Sequence, residues 1–173
     1  MFNLNFKKLL FNGIWDSGDA ATNPPLFNKP TNVIDINGAT KQIGSTQTSE
    51  AKDTFSSIIH ALNTLATNAV AARVGQSYFK LGTGTTTPAE DDYNIETETS
   101  DLVINQATQT TTATFEKAYN LNITNTGSSA ITLSEVVQVL KLYNNNEVAI
   151  SRTLTAASFA PGETKTIMVE VSL

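Results

Sequence analysis

The sequence predicts a mainly β protein: an antiparallel β-sandwich, Ig-like or jelly-roll-like, with an N-terminal extended arm and one amphipathic helix. Threonine contributes 26 of the 173 residues, and its side chain suits the pleated, half-buried surface of a sheet. From residue 78 onward, about seven short apolar runs lie between turn signals at a spacing typical of sandwiches. One stretch near residue 55 instead repeats its apolar residues at helical spacing.

These patterns divide the chain into three segments. Residues 1–47 are predicted to form the extended arm and a short hairpin, and residues 48–76 the amphipathic helix and a linker. Residues 77–173 are predicted to form the β-sandwich domain.

The arm covers residues 1–32, which begin apolar and end rich in proline. Pro24, Pro25 and Pro30 favour extended backbone and exclude a central strand. The apolar residues either cap the chain's own core or dock on a neighbouring subunit, since an apolar arm of this size must be buried somewhere.

The hairpin and the helix follow the arm. Val33 to Gly38 reads as a strand that ends in an Asn-Gly turn and pairs with Thr40 to Ile43. The helix begins near Thr48, with Ser49 or Asp53 as its N-cap. Its apolar stripe must pack on the sandwich or on the same helix of a symmetry mate. The stripe consists of Phe55, Ile58, Ile59, Leu62 and Leu65.

The apolar residues of the arm and the helix form the predicted interface with partners or with other copies of the chain. They are Phe2, Leu4, Phe6, Leu9, Leu10, Phe11, Ile14, Trp15, Phe55, Ile58, Ile59 and Leu62.

The predicted strands occupy the rest of the chain. They are Tyr78–Leu81, Leu102–Ile104, Thr112–Phe115, Tyr119–Ile123, Val136–Tyr143, Val148–Leu154 and Ile167–Leu173. The run from Glu135 to Leu142 lacks clean alternation, so a short helix remains an alternative there.

A glycine-rich loop, LGTGTTTP (81–88), follows the first of these strands and raises the question of phosphate binding. A dinucleotide fingerprint needs a third glycine where Thr87 stands, and a P-loop needs a lysine that is absent between Lys80 and Lys117. The acids that follow Pro88 would also repel a phosphate. The loop is therefore predicted to be a structural turn.

Composition excludes several functions. A net charge of −5 argues against a nucleic-acid surface, and the lack of cysteine excludes disulfides and thiolate metal sites. No apolar run approaches the roughly 20 residues of a membrane helix, and no signal peptide is convincing. We expect no cofactor, no nucleic acid and no membrane partner.

Candidate chemistry is sparse. His60, the only histidine, lies on the predicted helix and is expected to be a surface or interface residue rather than a catalytic one. The acids Glu90, Asp91, Asp92, Glu96, Glu98 and Asp101 are expected to form a solvated rim. Their spacing matches no EF-hand, although calcium binding stays open.

Two segments in a row resemble a recurring part of tailed-bacteriophage structural proteins. They are FKLGTGTTTP (79–88) and DYNIE (92–96), where the family has a hydrophobic strand, a Gly-Thr-Gly-Thr-Thr-x-Pro turn and an Asp-x-x-Leu-Glu-like step. Further similar segments are SE (134–135), LY (142–143), ISRTL (150–154) and PGETKTI (161–167). One departure is Val139-Leu140-Lys141, where the family usually has a glycine before its Leu-Tyr pair.

The resemblance covers residues 78–173 and implies a virion component without a catalytic role. We expect a capsid-decoration, head-fibre or tail-associated subunit, a homo-oligomer that attaches to capsid or tail proteins and is assembled in the host cytoplasm. The alternative is a module that binds a surface glycan or receptor through exposed tyrosines, for which Tyr78, Tyr93 and Tyr143 are candidates. The sequence leaves the position in the particle and the oligomeric state open.

Overall fold

A computed structural model of the chain describes residues 4, 5, 7, 9, 31–43, 65–66, 72, 76–113, 116–142 and 146–172. This part of the chain is mainly β, with eight strands in three antiparallel sheets. The strands are β1 (Thr31–Ile34), β2 (Thr40–Ile43), β3 (Gln76–Gly82), β4 (Leu102–Ala113), β5 (Glu116–Asn125), β6 (Ile131–Lys141), β7 (Glu147–Phe159) and β8 (Thr164–Ser172).

Two of the sheets have three strands each and share one apolar core. Their strand orders are β3-β6-β7 and β4-β5-β8, so the chain passes from one sheet to the other after β3, β5 and β7. The rings of Phe79 on β3 and Tyr119 on β5 meet edge to face, with centroids 5.0 Å apart. Buried side chains from all six strands join this cluster: Phe79, Leu81, Leu102, Ile104, Tyr119, Leu121, Ile123, Leu133, Val136, Phe159 and Val169.

A second apolar cluster explains the irregular pattern of β6. Six successive residues of β6, from Glu135 to Leu140, are buried, because side chains on both faces of the strand are covered. A strand buried on both faces loses the period-2 alternation from which strands are identified. The segment is therefore a strand and not a short helix. The second cluster comprises Ile36, Ala66, Ala72, Tyr78, Ile95, Val137, Val139 and Ala149.

The predicted hairpin is confirmed, and one strand prediction is wrong. Ile34 pairs with Thr40, and Gly38 in the connecting turn has a positive φ of 80°, which favours glycine. Leu102–Ile104 and Thr112–Phe115 were predicted as separate strands, yet β4 runs without a break from Leu102 to Ala113. The polar side chains in its middle conceal the pairing with β5, which extends along the strand with shifts of register between Ile104 and Gln106 and between Thr111 and Ala113.

The four described residues near the start of the chain lie against its own fold. Leu4, Asn5, Lys7 and Leu9 have helical backbone, where the sequence predicted an extended arm. The side-chain amide of Asn5 donates to the Ile34 carbonyl (2.8 Å) and accepts from the Ile34 N–H (3.0 Å). Leu9 is 5% exposed and Leu4 is 38% exposed, so Leu9 is covered by this chain while Leu4 faces solvent.

Most of the predicted helix and interface lies outside the described residues. Leu65 forms a parallel bridge with Ser77, so the end predicted for the apolar stripe has strand-like pairing. The interface residues Phe2, Phe6, Leu10, Phe11, Ile14, Trp15, Phe55, Ile58, Ile59 and Leu62 are not among the described residues, and neither is His60. The interface therefore stays a prediction. In the described ranges, no helix has the length and apolar character to cross a membrane.

Candidate functional site

The buried carboxylate of Glu135 binds backbone N–H groups of the glycine-rich loop and of the segment that follows it. Glu135 lies on β6 and its side chain is 0% exposed. Its Oε1 accepts hydrogen bonds from the backbone N–H groups of Gly84 (3.0 Å) and Thr97 (2.8 Å). Its Oε2 accepts from the N–H of Glu96 (3.1 Å) and from Nε of Arg152 (2.9 Å). Four donors use the roughly four lone-pair directions of a carboxylate, so the group is fully satisfied although it is buried.

Arg152 connects this buried carboxylate to the surface. It lies on β7, beside β6 in the same sheet. Its Nη1 donates to Asp92 (2.8 Å) and its Nη2 to Glu96 (3.0 Å). Burial acts against the guanidinium charge, but the bonds to Asp92 and Glu135 outweigh it and raise the pKa of Arg152. We call Arg152, Glu135, Asp92 and Glu96 the Arg152 cluster.

The two glycines of the loop are required by the Arg152 cluster. A Cβ on Gly82 would lie 2.5 Å from the Thr97 carbonyl oxygen and 2.6 Å from Glu135 Oε1. A Cβ on Gly84 would lie 2.5 Å from Glu96 Oε2 and would overlap Glu135 Oε1. The Gly-Thr-Gly pattern thus lets a carboxylate approach the backbone. Because Glu135 already binds the N–H of Gly84, that N–H does not point to a phosphate, in agreement with the prediction of a structural turn.

Thr86 closes the outer side of the loop over Glu96. The Thr86 hydroxyl donates to Glu96 Oε1 (2.6 Å), and its backbone N–H donates to Oε2 (3.0 Å). The hydroxyl bond, followed by the N–H bond, outweighs desolvation and lowers the pKa of Glu96 below its ordinary value of 4.5. Protonation of Glu96 therefore weakens the link between the two ends of the loop.

Acid is expected to destabilise the protein partly through Glu96. Since the folded-state pKa lies below 4.5, this contribution is complete above pH 4.5 and is lost as the pH falls through the lowered pKa. Replacing Thr86 with valine should move the Glu96 pKa back toward 4.5, as measured by NMR titration of its side-chain carboxyl carbon. Thr85→Val, at the exposed neighbouring position, should leave the titration unchanged. An unshifted Glu96 titration in Thr86→Val would contradict this assignment.

An open pocket of about 440 Å³ lies at the surface of the cluster. Its wall consists of Asp91, Tyr93, Asn94, Ile95 and Thr86, together with the Asp92, Glu96 and Arg152 side chains of the cluster. The pocket is thus built almost entirely by the loop that follows the glycine-rich turn.

Of the three tyrosines that the sequence suggested for glycan binding, the two that the structure describes differ in exposure. Tyr78 is 1% exposed and belongs to the second apolar cluster, so its proposal as a platform was wrong. Burial, and then Glu147, raise its pKa. Tyr93 is 43% exposed and lines the pocket. Tyr143 lies outside the described residues.

The acidic run is bound largely by the protein's own cations and backbone. Glu90 forms an ion pair with Lys7, and Glu98 forms one with Lys80 at 2.8 Å. Asp92 and Glu96 belong to the Arg152 cluster. Within the described ranges, no three histidine, aspartate or glutamate side chains are placed to hold a metal ion.

Glu135 and Arg152 belong to two of the segments that resemble phage structural proteins, 134–135 and 150–154, but the sequence assigned neither residue a role. One signal was present, because each is a single charge beside strongly apolar residues of a strand. Glu135 precedes Val136 and Val137, and Arg152 follows Ile150 closely. Two opposite charges in buried strands indicate an ion pair, since an unpaired buried charge is very costly.

Comparison with known proteins gives no relative: the chain matches no family model, no curated protein and no solved structure.

Proposed function

We propose that this chain is a structural component of a tailed-bacteriophage virion, a capsid-decoration, head-fibre or tail-associated subunit. The supporting observation is that separate segments of the resemblance meet at one place. Segments 79–88, 92–96, 134–135 and 150–154 all contribute to the Arg152 cluster or to its bonds. Because the similar segments meet at the Arg152 cluster, a shared architecture explains them better than chance matches of short motifs do.

We further propose that the sheets β3-β6-β7 and β4-β5-β8 form a β-sandwich. The shared core cluster and the three crossings between the sheets support this arrangement. Such crossings are typical of Greek-key sandwiches of the Ig-like and jelly-roll-like kinds. In this proposal the hairpin β1-β2 covers the second face of β3-β6-β7, because Ile36 joins the cluster on that side and donates its N–H to the Glu147 carbonyl (2.9 Å).

The proposed mechanism is attachment by surface burial. Apolar area removed from water contributes about 25 cal/mol per Å², and repetition on a symmetric particle multiplies a modest contact. Among the predicted interface residues that the structure describes, Leu4 has an exposed side chain and Leu9 does not. The Arg152 cluster suits a rigid subunit, because its charged groups bind one another and hold the loop to the sheet.

The proposal predicts that the protein is present in purified particles of the phage that encodes it. Quantitative mass spectrometry should give its copy number, and immunogold labelling its position. Hundreds of copies over the shell would indicate decoration, and a few at one vertex a neck or tail role. Absence from particles in which the capsid and tail proteins are found would refute the proposal.

A matched pair of variants tests the attachment surface. Added to particles that lack the protein, Leu4→Asp should bind with several-fold lower occupancy than the wild type. Met168→Asp places the same charge on another exposed apolar residue, of β8, and should bind normally. Equal occupancy of the two variants would show that Leu4 is not in the interface.

A further inference from the structure

The pocket beside the Arg152 cluster has the volume of a small-molecule site. At about 440 Å³, it falls within the roughly 300–1,000 Å³ common for ligand pockets. Its wall is held by bonds that do not involve a ligand: Arg152 fixes Asp92 and Glu96, and Asp92 also accepts the Ala89 N–H (2.9 Å). A ligand would therefore meet groups that are already in place, which lowers the entropy lost on binding.

Tyr93 supplies the pocket with an aromatic surface in a fixed position. A Cβ on Gly38 would lie 3.3 Å from Cε2 and Cζ of the tyrosine, so the ring rests against the turn between β1 and β2. The side chain nevertheless keeps 43% of its surface exposed. A supported but exposed aromatic ring combines an apolar body with a hydroxyl that can hydrogen-bond.

The polar groups of the pocket are mainly hydrogen-bond acceptors. Asp91, Asp92 and Glu96 contribute carboxylate oxygens, which in the ionised state can accept only. Oδ1 of Asn94 is shielded from solvent and has no hydrogen-bond partner among the described residues. A shielded acceptor without a partner is costly. Since Asn94 lines the pocket, rotation of its side chain toward a ligand hydroxyl would remove that cost. The ligand should therefore carry several donors at short spacing.

Charge narrows the ligand class further. Three carboxylates and one guanidinium line the pocket, which leaves a formal excess of two negative charges. An acidic sugar, a phosphate or a sulfate would be repelled by this excess. A neutral sugar has many hydroxyl donors, apolar C–H faces that can lie on a tyrosine ring, and no charge to repel.

We propose that this pocket binds a neutral hexose unit of a glycan, with Tyr93 as the platform for the sugar ring and Asp91, Asn94 and Glu96 as hydroxyl acceptors. This site goes beyond the proposed structural role and does not rest on it, because a chain outside any virion would carry the same pocket. On a particle surface, it would allow many weak sites to act together on a glycan-coated cell.

NMR titration of the ¹⁵N-labelled full chain tests the site directly. The probes are methyl β-glucoside, methyl β-galactoside, N-acetylglucosamine, maltose and lactose, each to about 50 mM, which detects millimolar dissociation constants. At least one should shift the amide signals of Tyr93 and Asn94 saturably. Glucuronic acid and glucose 6-phosphate should bind at least about tenfold more weakly than that sugar.

Variants separate the site from general effects on folding. Tyr93→Ala should weaken binding by about tenfold or more, whereas Tyr93→Phe should keep most of it. Asn94→Leu removes the amide acceptor but keeps a side chain of similar volume, and it should weaken binding as well. This variant provides the test if Tyr93→Ala does not fold. Met168→Ala, at an exposed residue of β8, should bind like the wild type.

Three outcomes would overturn the proposal. One is the absence of saturable shifts with all five neutral sugars. Another is unchanged affinity in folded Tyr93→Ala. The third is that arginine amide shifts the Tyr93 and Asn94 signals while no sugar does, which would assign the pocket to a cationic side chain of a partner protein.

Discussion

Replacing Arg152 with methionine is expected to lower the free energy of unfolding by about 3–5 kcal/mol. Methionine preserves much of the arginine stem but removes the only cation that binds Glu135 in the described structure. The carboxylate, which is 0% exposed in the wild type, would keep only its bonds to the backbone N–H groups of the loop. A buried charge without a countercharge is among the largest single destabilising effects known in proteins. Urea unfolding at pH 7 measures the change.

Lys80→Met provides the matched control. Lys80 forms an ion pair with Glu98 at 2.8 Å, but 53% of the Glu98 side chain is exposed. Water screens such a pair, so its loss should cost less than about 1 kcal/mol. If Arg152→Met and Lys80→Met cost the same, the Arg152 cluster does not stabilise the fold in the way described.

Removing both charges should not restore stability. An apolar pair often replaces a buried ion pair without loss, but Glu135 also accepts the N–H groups of Gly84, Glu96 and Thr97. In Glu135→Leu/Arg152→Leu these three N–H groups would lose their acceptor inside the protein, and each unsatisfied group is costly. The carboxylate is thus a cap for the loop as well as half of an ion pair.

Sequence patterns predicted those strands whose two faces differ. Val169 is buried between the exposed residues Met168 and Glu170, and this alternation made β8 the clearest prediction. β6 is buried on both faces and β4 is polar along much of its length. The faces of β6 do not differ in burial, so alternation could not define it as a strand. In β4 the residues from Asn105 to Thr112 are polar on both faces apart from Ala107, so the sequence did not show one continuous strand.

The Arg152 cluster could not be predicted from spacing, because its members come together only when the sheet forms. Arg152 is 17 residues from Glu135, 56 from Glu96 and 60 from Asp92. Pairing of β6 with β7 places Glu135 near Arg152, since Glu135 lies opposite Leu154 in the register. The loop then brings its two carboxylates to Nη1 and Nη2 of the guanidinium. The Gly-Thr-Gly motif was recognised in the sequence, but the approach of Glu135 and Glu96 that requires its glycines was not.

Gly84→Ala is expected to destabilise the protein by about 3 kcal/mol. The added Cβ would lie 2.5 Å from Glu96 Oε2 and 2.6 Å from Glu96 Cβ, and it would overlap Glu135 Oε1. Glu135 cannot withdraw without losing its bonds to Thr97, Glu96 and Arg152. The methyl group would therefore separate the loop from β6. Thermal and urea unfolding measure the change.

The sign of the Gly84→Ala effect is the decisive result. Gly84 does not have a positive φ, unlike Gly38 and Gly162, so backbone entropy alone would make alanine stabilising by about 0.4–1 kcal/mol. Gly162→Ala is the complementary control: its Cβ would meet nothing within 4 Å, but φ is +75°, and strain should cost about 1–2 kcal/mol. A stabilising Gly84→Ala would mean that the Arg152 cluster can move, and the glycines of the loop would then need another explanation. A destabilisation larger than that of Gly162→Ala would show that close approach of the carboxylates, rather than backbone conformation, requires glycine at this position.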